Sequence, residues 1–285
     1  MSFITLSGYE LSFIEVILLV FSVILGSCFG SFINAAALRA LDGRDWVRAP
    51  SVCFSCGSRL TVSQNLPFWG WLRTGGVAQC CGAKIPRQYV LVEAVGAALA
   101  GVFWILLGYP QALVFLPFFI VCGVIFLTDL AAFHIPDWAS LGGLAAGLVL
   151  ALAGAPGLPD FTASLFGGVA GFALLYAINL CYRLIRGTDG LGFGDVKLMA
   201  MFGVWLGPLA LLPVLFAASI MGTLVGLGVI LSRSFSGKYD ANGQAEEASG
   251  LTMLPFGCFL VPTALLCVAL AAILDFDQTR LILPF

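Results

Sequence analysis

Apolar runs of about twenty residues recur along nearly the whole chain, and nothing else in the sequence restricts its fold as strongly. Roughly 20 consecutive apolar residues are needed to cross a bilayer as helix, where a spanning backbone must satisfy its own hydrogen bonds. Such runs fall at 14–38, 89–108, 111–128, 138–154, 163–182, 194–208, 209–232 and 251–274. The composition agrees, with 60% of the 285 residues hydrophobic and only 10% charged, where a soluble domain carries about a quarter charged. The expected fold is therefore an all-α polytopic membrane protein of about eight transmembrane helices. The sixth run is short and meets the seventh at Gly207-Pro208, so seven spans result if 194–232 is one and a half bent helices. The 34 glycines follow no collagen-like period and suit close helix packing. The first run has no Lys or Arg before it and no small-residue cleavage site, so it reads as a span and not as a removed signal peptide.

Basic residues set the orientation, because Lys and Arg concentrate in cytoplasmic loops. The 39–88 segment holds Arg39, Arg44, Arg48, Arg59, Arg73, Lys84 and Arg87. The 183–197 connection holds Arg183, Arg186 and Lys197, and 233–250 holds Arg233 and Lys238. With eight spans all three segments fall on one side, and only Arg280 lies opposite. Both termini are then outside, and 39–88 is a sizeable cytoplasmic loop. The chain divides into a first transmembrane helix (1–38), that loop (39–88) and a transmembrane bundle (89–285).

Two acids stand out against this background. Asp129, in LTDLAAFHIPD, ends the third run, and Asp195, in GLGFGDVKL, begins the sixth, so the topology brings both to the cytoplasmic face. An ionisable residue in such a setting is a functional-site hypothesis. One such acid is as readily a solvated helix end, and Asp195 at a helix N-terminus would be favoured by the dipole. Two of them, with Gly192 and Gly194 ahead of the second, favour a site: those glycines let the backbone bend and another chain come close. A glycine-rich turn can also cradle phosphate, but no strand pattern precedes this one. The sole histidine, His134, reads as a solvated loop residue, so no Ser/His pair is available. Lys197 reads as a side chain snorkelling to the interface, and Asp137, after Pro136, as the N-cap of the fourth helix.

The 39–88 loop is too short and too poor in apolar residues for an ordinary core, and units of that size need a staple. Cys53-x-x-Cys56 followed by Cys80-Cys81 supplies a zinc-ribbon-like set. A cytoplasmic loop argues against disulfides. Adjacent cysteines do not readily aim both sulfurs at one tetrahedral ion, so the expectation is three thiolates plus another ligand, or no metal. The remaining cysteines (Cys28, Cys122, Cys181, Cys258 and Cys267) fall within spans and read as small packing residues.

Taken in order, these pieces resemble the type IV prepilin peptidases, membrane proteins of the GxGD aspartic class. The resemblance is carried by GSCFGSFINAAALR at 26–39, CFSC at 53–56, NLPFWGWLRTGG at 65–76, CGAKIPRQYVLVE at 81–93, TDLAAFHIPD at 128–137 and GLGFGDVKL at 190–198. Beyond about residue 200 the chain matches only in being hydrophobic. The resemblance implies a bacterial inner-membrane enzyme that removes the basic leader of prepilins or pseudopilins at the cytoplasmic face. It also implies methylation of the new N-terminal amine with S-adenosylmethionine. The family's catalytic aspartates fall on Asp129 and Asp195. Its cysteine motif falls on Cys53, Cys56 and Cys81, while its third position is Ala78 and Cys80 stands two places later. Asn34 and Arg39 match the family's first motif, and no catalytic role follows for either.

In an aspartic pair one ionised carboxylate acts as base on a water while the protonated one donates to the scissile carbonyl. The implied partners are prepilin-like substrates and the lipid bilayer, with no nucleic acid. Nothing in the sequence resembles the glycine-rich strand–turn–helix of soluble methyltransferases, so methylation rests on the resemblance, and a peptidase without it is the nearest variant. A transporter also uses membrane aspartates and broken helices, near the midplane. Here the acids sit at one face, no inverted repeat is detectable, and the cysteine loop has no transport use. The intact aspartate pair argues against a non-catalytic assembly scaffold.

Overall fold

The structure, a computed structural model, describes residues 4–6, 9–11, 13–46, 48–236 and 254–274. The chain forms two compact units, Met1–Thr128 with Ala155–Gly157, and Asp129–Gly154 with Leu158–Phe285.

The first unit opens with a small antiparallel hairpin, β1 (Ile4–Leu6) and β2 (Tyr9–Leu11), in which Thr5 faces Glu10. Its frame is α1 (Phe13–Leu41) against α4 (Gln88–Leu107). These helices meet on glycine: a Cβ on Gly30 would lie 2.7 Å from the Val92 carbonyl oxygen, and one on Gly96 would lie 2.6 Å from that of Gly26. Backbones that approach so closely are what small-residue seams allow. The Gln88 amide donates to Asn34 Oδ1 across the same seam at 3.3 Å, as a cross-helix role for Asn34 requires. Between them lie the short helices α2 (Val62–Asn65) and α3 (Trp69–Thr74). The 111–128 run, expected as one helix, is divided into α5 (Gln111–Val114) and α6 (Leu116–Ala132). Pro117 explains the break, because proline lacks the N–H that an uninterrupted helix would use and is tolerated only in a first turn.

The second unit takes the last turn of α6, then α7 (Asp137–Leu152), α8 (Phe161–Arg186), α9 (Phe193–Leu206), a 3-10 turn at Pro208–Ala210, α10 (Leu211–Ser236) and α11 (Gly257–Ile273). Its centre is α9, where eleven of fourteen residues are buried, the mark of a helix that is apolar all round. Gly203 of α9 lies directly on Gly167 of α8, so that a Cβ on either would strike the other's carbonyl. On the α7 side, the fully buried Trp205 donates Nε1–H to the Gly143 carbonyl at 2.8 Å. Gly207 (φ +80°) and Pro208 end α9 and turn the chain. The central helix is thus gripped from two sides, which fixes the direction in which its first turn points.

Among the described residues, four helices are long and apolar enough to cross a membrane, Phe13–Leu41, Gln88–Leu107, Phe161–Arg186 and Pro208–Ser232. Leu116–Ala132, Asp137–Leu152 and Gly257–Ile273 are apolar but shorter. Seventeen residues of α11 reach about 25 Å at 1.5 Å per residue, short of a hydrocarbon core of roughly 30 Å. Of the basic residues used for orientation, Lys238 and Arg280 lie outside the described residues.

Candidate functional site

Asp129 sits in the last turn of α6 and is 4% exposed. Its Oδ2 accepts the Cys258 main-chain N–H at 2.9 Å, and the Gly257 backbone and the Cys258 thiol also reach the carboxylate. The acid is therefore docked on the N-terminus of α11, whose first N–H groups have no intrahelical partner and favour negative charge. Cys258, read from the sequence as a packing residue, is instead part of this site.

Asp195 lies in the first turn of α9, is 8% exposed, and follows the N-cap Gly192. Its backbone N–H closes on the Gly192 carbonyl at 3.1 Å, and Asp195 Oδ1 is buried with no hydrogen-bond partner among the described residues. The two carboxylates are near enough to act on each other electrostatically. Ile135 wedges between their supports: a Cβ on Gly194 would meet Ile135 Cβ at 3.0 Å, and a Cβ on Gly257 would meet Ile135 Cδ1 at 3.3 Å. The chain enters this wedge through Phe133, whose φ of 54° reverses it after α6, a conformation that costs a bulky residue free energy. The glycines before Asp195 thus serve close approach and not bending, since Gly192 has φ −67° and Gly194 is inside α9. Upstream, Asn179 Oδ1 accepts the N–H groups of Gly190 and Leu191 at 2.9 and 3.0 Å, which pins the loop ahead of α9.

Three other sequence readings change here. Asp137 is not the N-cap of α7; Pro136 holds that position, and Asp137 is in the first helical turn. Its carboxylate pairs with the Lys197 ammonium, which also lies over the Phe193 ring at 5.3 Å. Lys197 is therefore an ion-pair partner and not a free snorkelling chain, and it is directed at Asp137. Arg39 is buried and donates to the Trp46 carbonyl at 2.9 Å, so it anchors the start of the loop. His134 is exposed, as a loop histidine should be. Sequence reasoning also passed over Glu93, which is buried and accepts the Phe68 N–H at 2.9 Å.

The cysteines of the first unit form two matching turns. In one, Cys53 N–H bonds to the Ser58 carbonyl (2.8 Å) and Gly57 N–H to the Cys53 carbonyl (2.9 Å), closed by a Val52–Arg59 bridge. In the other, Ala78 N–H bonds to Ala83 (2.8 Å) and Gly82 N–H to Ala78 (2.8 Å), closed by a Val77–Lys84 bridge. Gly57 and Gly82 both have φ +72°. In this register Ala78 matches Cys53, Cys81 matches Cys56, and Cys80 matches Ser55. All four sulfurs nevertheless lie within 4.8 Å of one another, with Cys53–Cys81 at 3.7 Å and Cys56–Cys80 at 3.3 Å. Tetrahedral zinc with bonds of about 2.3 Å sets sulfurs about 3.8 Å apart, so the donor set fits. The expectation that adjacent cysteines point apart is thus corrected: Cys80 reaches in from the next place in the turn. Hydrogen bonds from Ser58 pull the Cys56 thiol down to about 6, while Cys80, facing Cys56 and Cys53, is pushed up to about 12.

Residues 24–107 match the Bacterial Peptidase A24 N-terminal domain, and residues 113–227 match the Type IV leader peptidase family. The chain is 33% identical over 186 residues to the prepilin leader peptidase/N-methyltransferase of Aeromonas salmonicida, covering 65% of this chain and 63% of that protein. It is 30% identical over 236 residues to the Burkholderia pseudomallei protein of the same description, covering 73% and 75%. The Pseudomonas putida relative is 31% identical over 264 residues, covering 84% and 86%. The chain thus spans 63% of the length of the Aeromonas relative, just under two thirds. No solved structure matches it.

Proposed function

This chain belongs to the type IV leader peptidase family, and from that premise we propose that it removes the leader of prepilins or pseudopilins and methylates the new N-terminus. The observation that carries the peptidase reading is the meeting, in one unit, of two buried carboxylates that lie far apart in sequence. Two carboxylates sharing a site cannot both ionise cheaply, so the pair holds one proton. The ionised member takes a proton from a water; the water oxygen attacks the scissile carbonyl carbon; the protonated member donates to the carbonyl oxygen. Collapse of the tetrahedral intermediate then breaks the C–N bond, and the leaving amine takes up a proton. The assignment of Asp129 and Asp195 to these roles is ours.

The remaining architecture is proposed with it: about eight spans in a bacterial inner membrane, both termini outside, the active site at the cytoplasmic face, the loop 39–88 in front of a peptidase bundle 89–285. That arrangement brings the acids to the depth where the leader of a membrane-anchored substrate joins its apolar segment. Cys53, Cys56, Cys80 and Cys81 would hold a zinc ion, which at a closed thiolate site supplies folding energy and no open position for chemistry. S-adenosylmethionine is proposed as methyl donor from the relatives' description as N-methyltransferases. The described residues include no glycine-rich strand–turn–helix, and no step is assigned to the donor. Co-expression with a prepilin tests the reading by mass spectrometry: the product should lack its leader and carry one added methyl group. An intact leader would refute the proposal, and a cleaved but unmethylated product would leave the peptidase alone.

A further inference from the structure

We propose that Gly257 is a positioning residue for this reaction, the gap in α11 that lets the Asp129 carboxylate dock on that helix's first N–H groups. The inference rests on the reading of Asp129 as one of the two reacting acids. It is carried by space and by a hydrogen bond together. Cys258 N–H donates to Asp129 Oδ2 at 2.9 Å, and a Cβ at position 257 would lie 2.8 Å from that same oxygen and 3.1 Å from Asp129 Cγ. On the other side the methyl group would stand 3.3 Å from Ile135 Cδ1, so that side chain too would have to give by a few tenths of an ångström. Ile135 in turn is held against Gly194, one residue before Asp195. Any side chain at 257 must therefore push the Asp129 carboxylate off its donor or push Ile135 into the turn that carries Asp195.

Backbone conformation does not ask for glycine here, since Gly257 is absent from the left-handed glycines of the described residues. Alanine is also the better helix former. The backbone of α11 alone thus does not call for glycine, whereas a positioning role makes alanine harmful to the reaction. The two cases separate by experiment.

The test compares Gly257→Ala with Gly142→Ala, whose added Cβ on α7 meets nothing within 4 Å among the described residues. For leader removal from a purified prepilin, Gly257→Ala should lower kcat by roughly 10–100-fold with KM unchanged, and Gly142→Ala should match wild type. A second measurement places Gly257→Ala in the wild-type and Asp129→Ala backgrounds. It should lower Tm, or prevent accumulation, with the carboxylate present and be tolerated without it. Wild-type kcat in Gly257→Ala, or the same loss of stability in both backgrounds, would overturn the inference. Activity in Asp129→Asn would instead defeat the reading of the acid pair itself.

Discussion

Asp137 separates acidity from the conditions that make an acid react. It stands eight residues after Asp129 in the same unit, yet its side chain is 67% exposed and paired with Lys197. Exposed pairs of this kind contribute about 0–1 kcal/mol, so Asp137→Asn is expected to change the rate of leader removal by no more than about fivefold. A loss as deep as that of an Asp129 variant, measured on the same prepilin, would mean that Asp137 belongs to the reacting group. The sequence reveals Asp129 and Asp195 because a carboxylate in an apolar run is costly wherever it points. It does not reveal Gly257 and Cys258, whose contribution is a missing side chain and a main-chain N–H. The one available signal is Pro255-Phe256-Gly257 ahead of an apolar run, a helix start, and helix starts receive anions. Lys197 was misread for a related reason: its partner is 60 positions away, and spacing along one helix says nothing about it.

Among the elements, the paired cysteine turns show how a fold absorbs an irregular motif. Because Ala78 and not Cys80 matches Cys53 in the turn register, Cys80 is the ligand most dependent on this local geometry. Cys80→Ser should therefore drop bound zinc well below one ion per chain and make the loop more sensitive to protease. Adding Ala78→Cys to that variant should restore the metal by rebuilding the regular set. Unchanged zinc in Cys80→Ser, measured by elemental analysis, would remove Cys80 from the site. The α8–α9 contact makes a second prediction. Gly203→Ala forces a methyl group into the Gly167 backbone, and overpacking of this kind costs about 1–3 kcal/mol, read as a lower Tm in detergent with the zinc content intact. Helix boundaries were mostly legible from hydropathy, since α7 through α10 fall within a few residues of the expected runs. The division at Phe115 was not, although Pro117 marks it, because hydropathy alone cannot distinguish one apolar helix from two.

At the scale of the whole molecule, membrane orientation and chemistry make one linked account. In the proposed topology, which puts 183–197 on the cytoplasmic side and 155–160 opposite, a membrane-impermeant maleimide should label Pro156→Cys in intact cells and Thr188→Cys only after lysis. The reverse pattern would invert the proposed topology and remove the acids from the face where a leader is presented. The proposed orientation rests on the segregation of lysines and arginines by loop, while the burial of α9 at the centre of the second unit emerges only from packing. That central helix brings one acid to the other, and the account stands on their joint action. The most direct test is the rate at which purified, reconstituted protein removes the leader of a prepilin. Asp129→Asn and Asp195→Asn should each fold normally and each lose roughly 10²–10⁴-fold in rate. Wild-type processing by either variant would contradict the account.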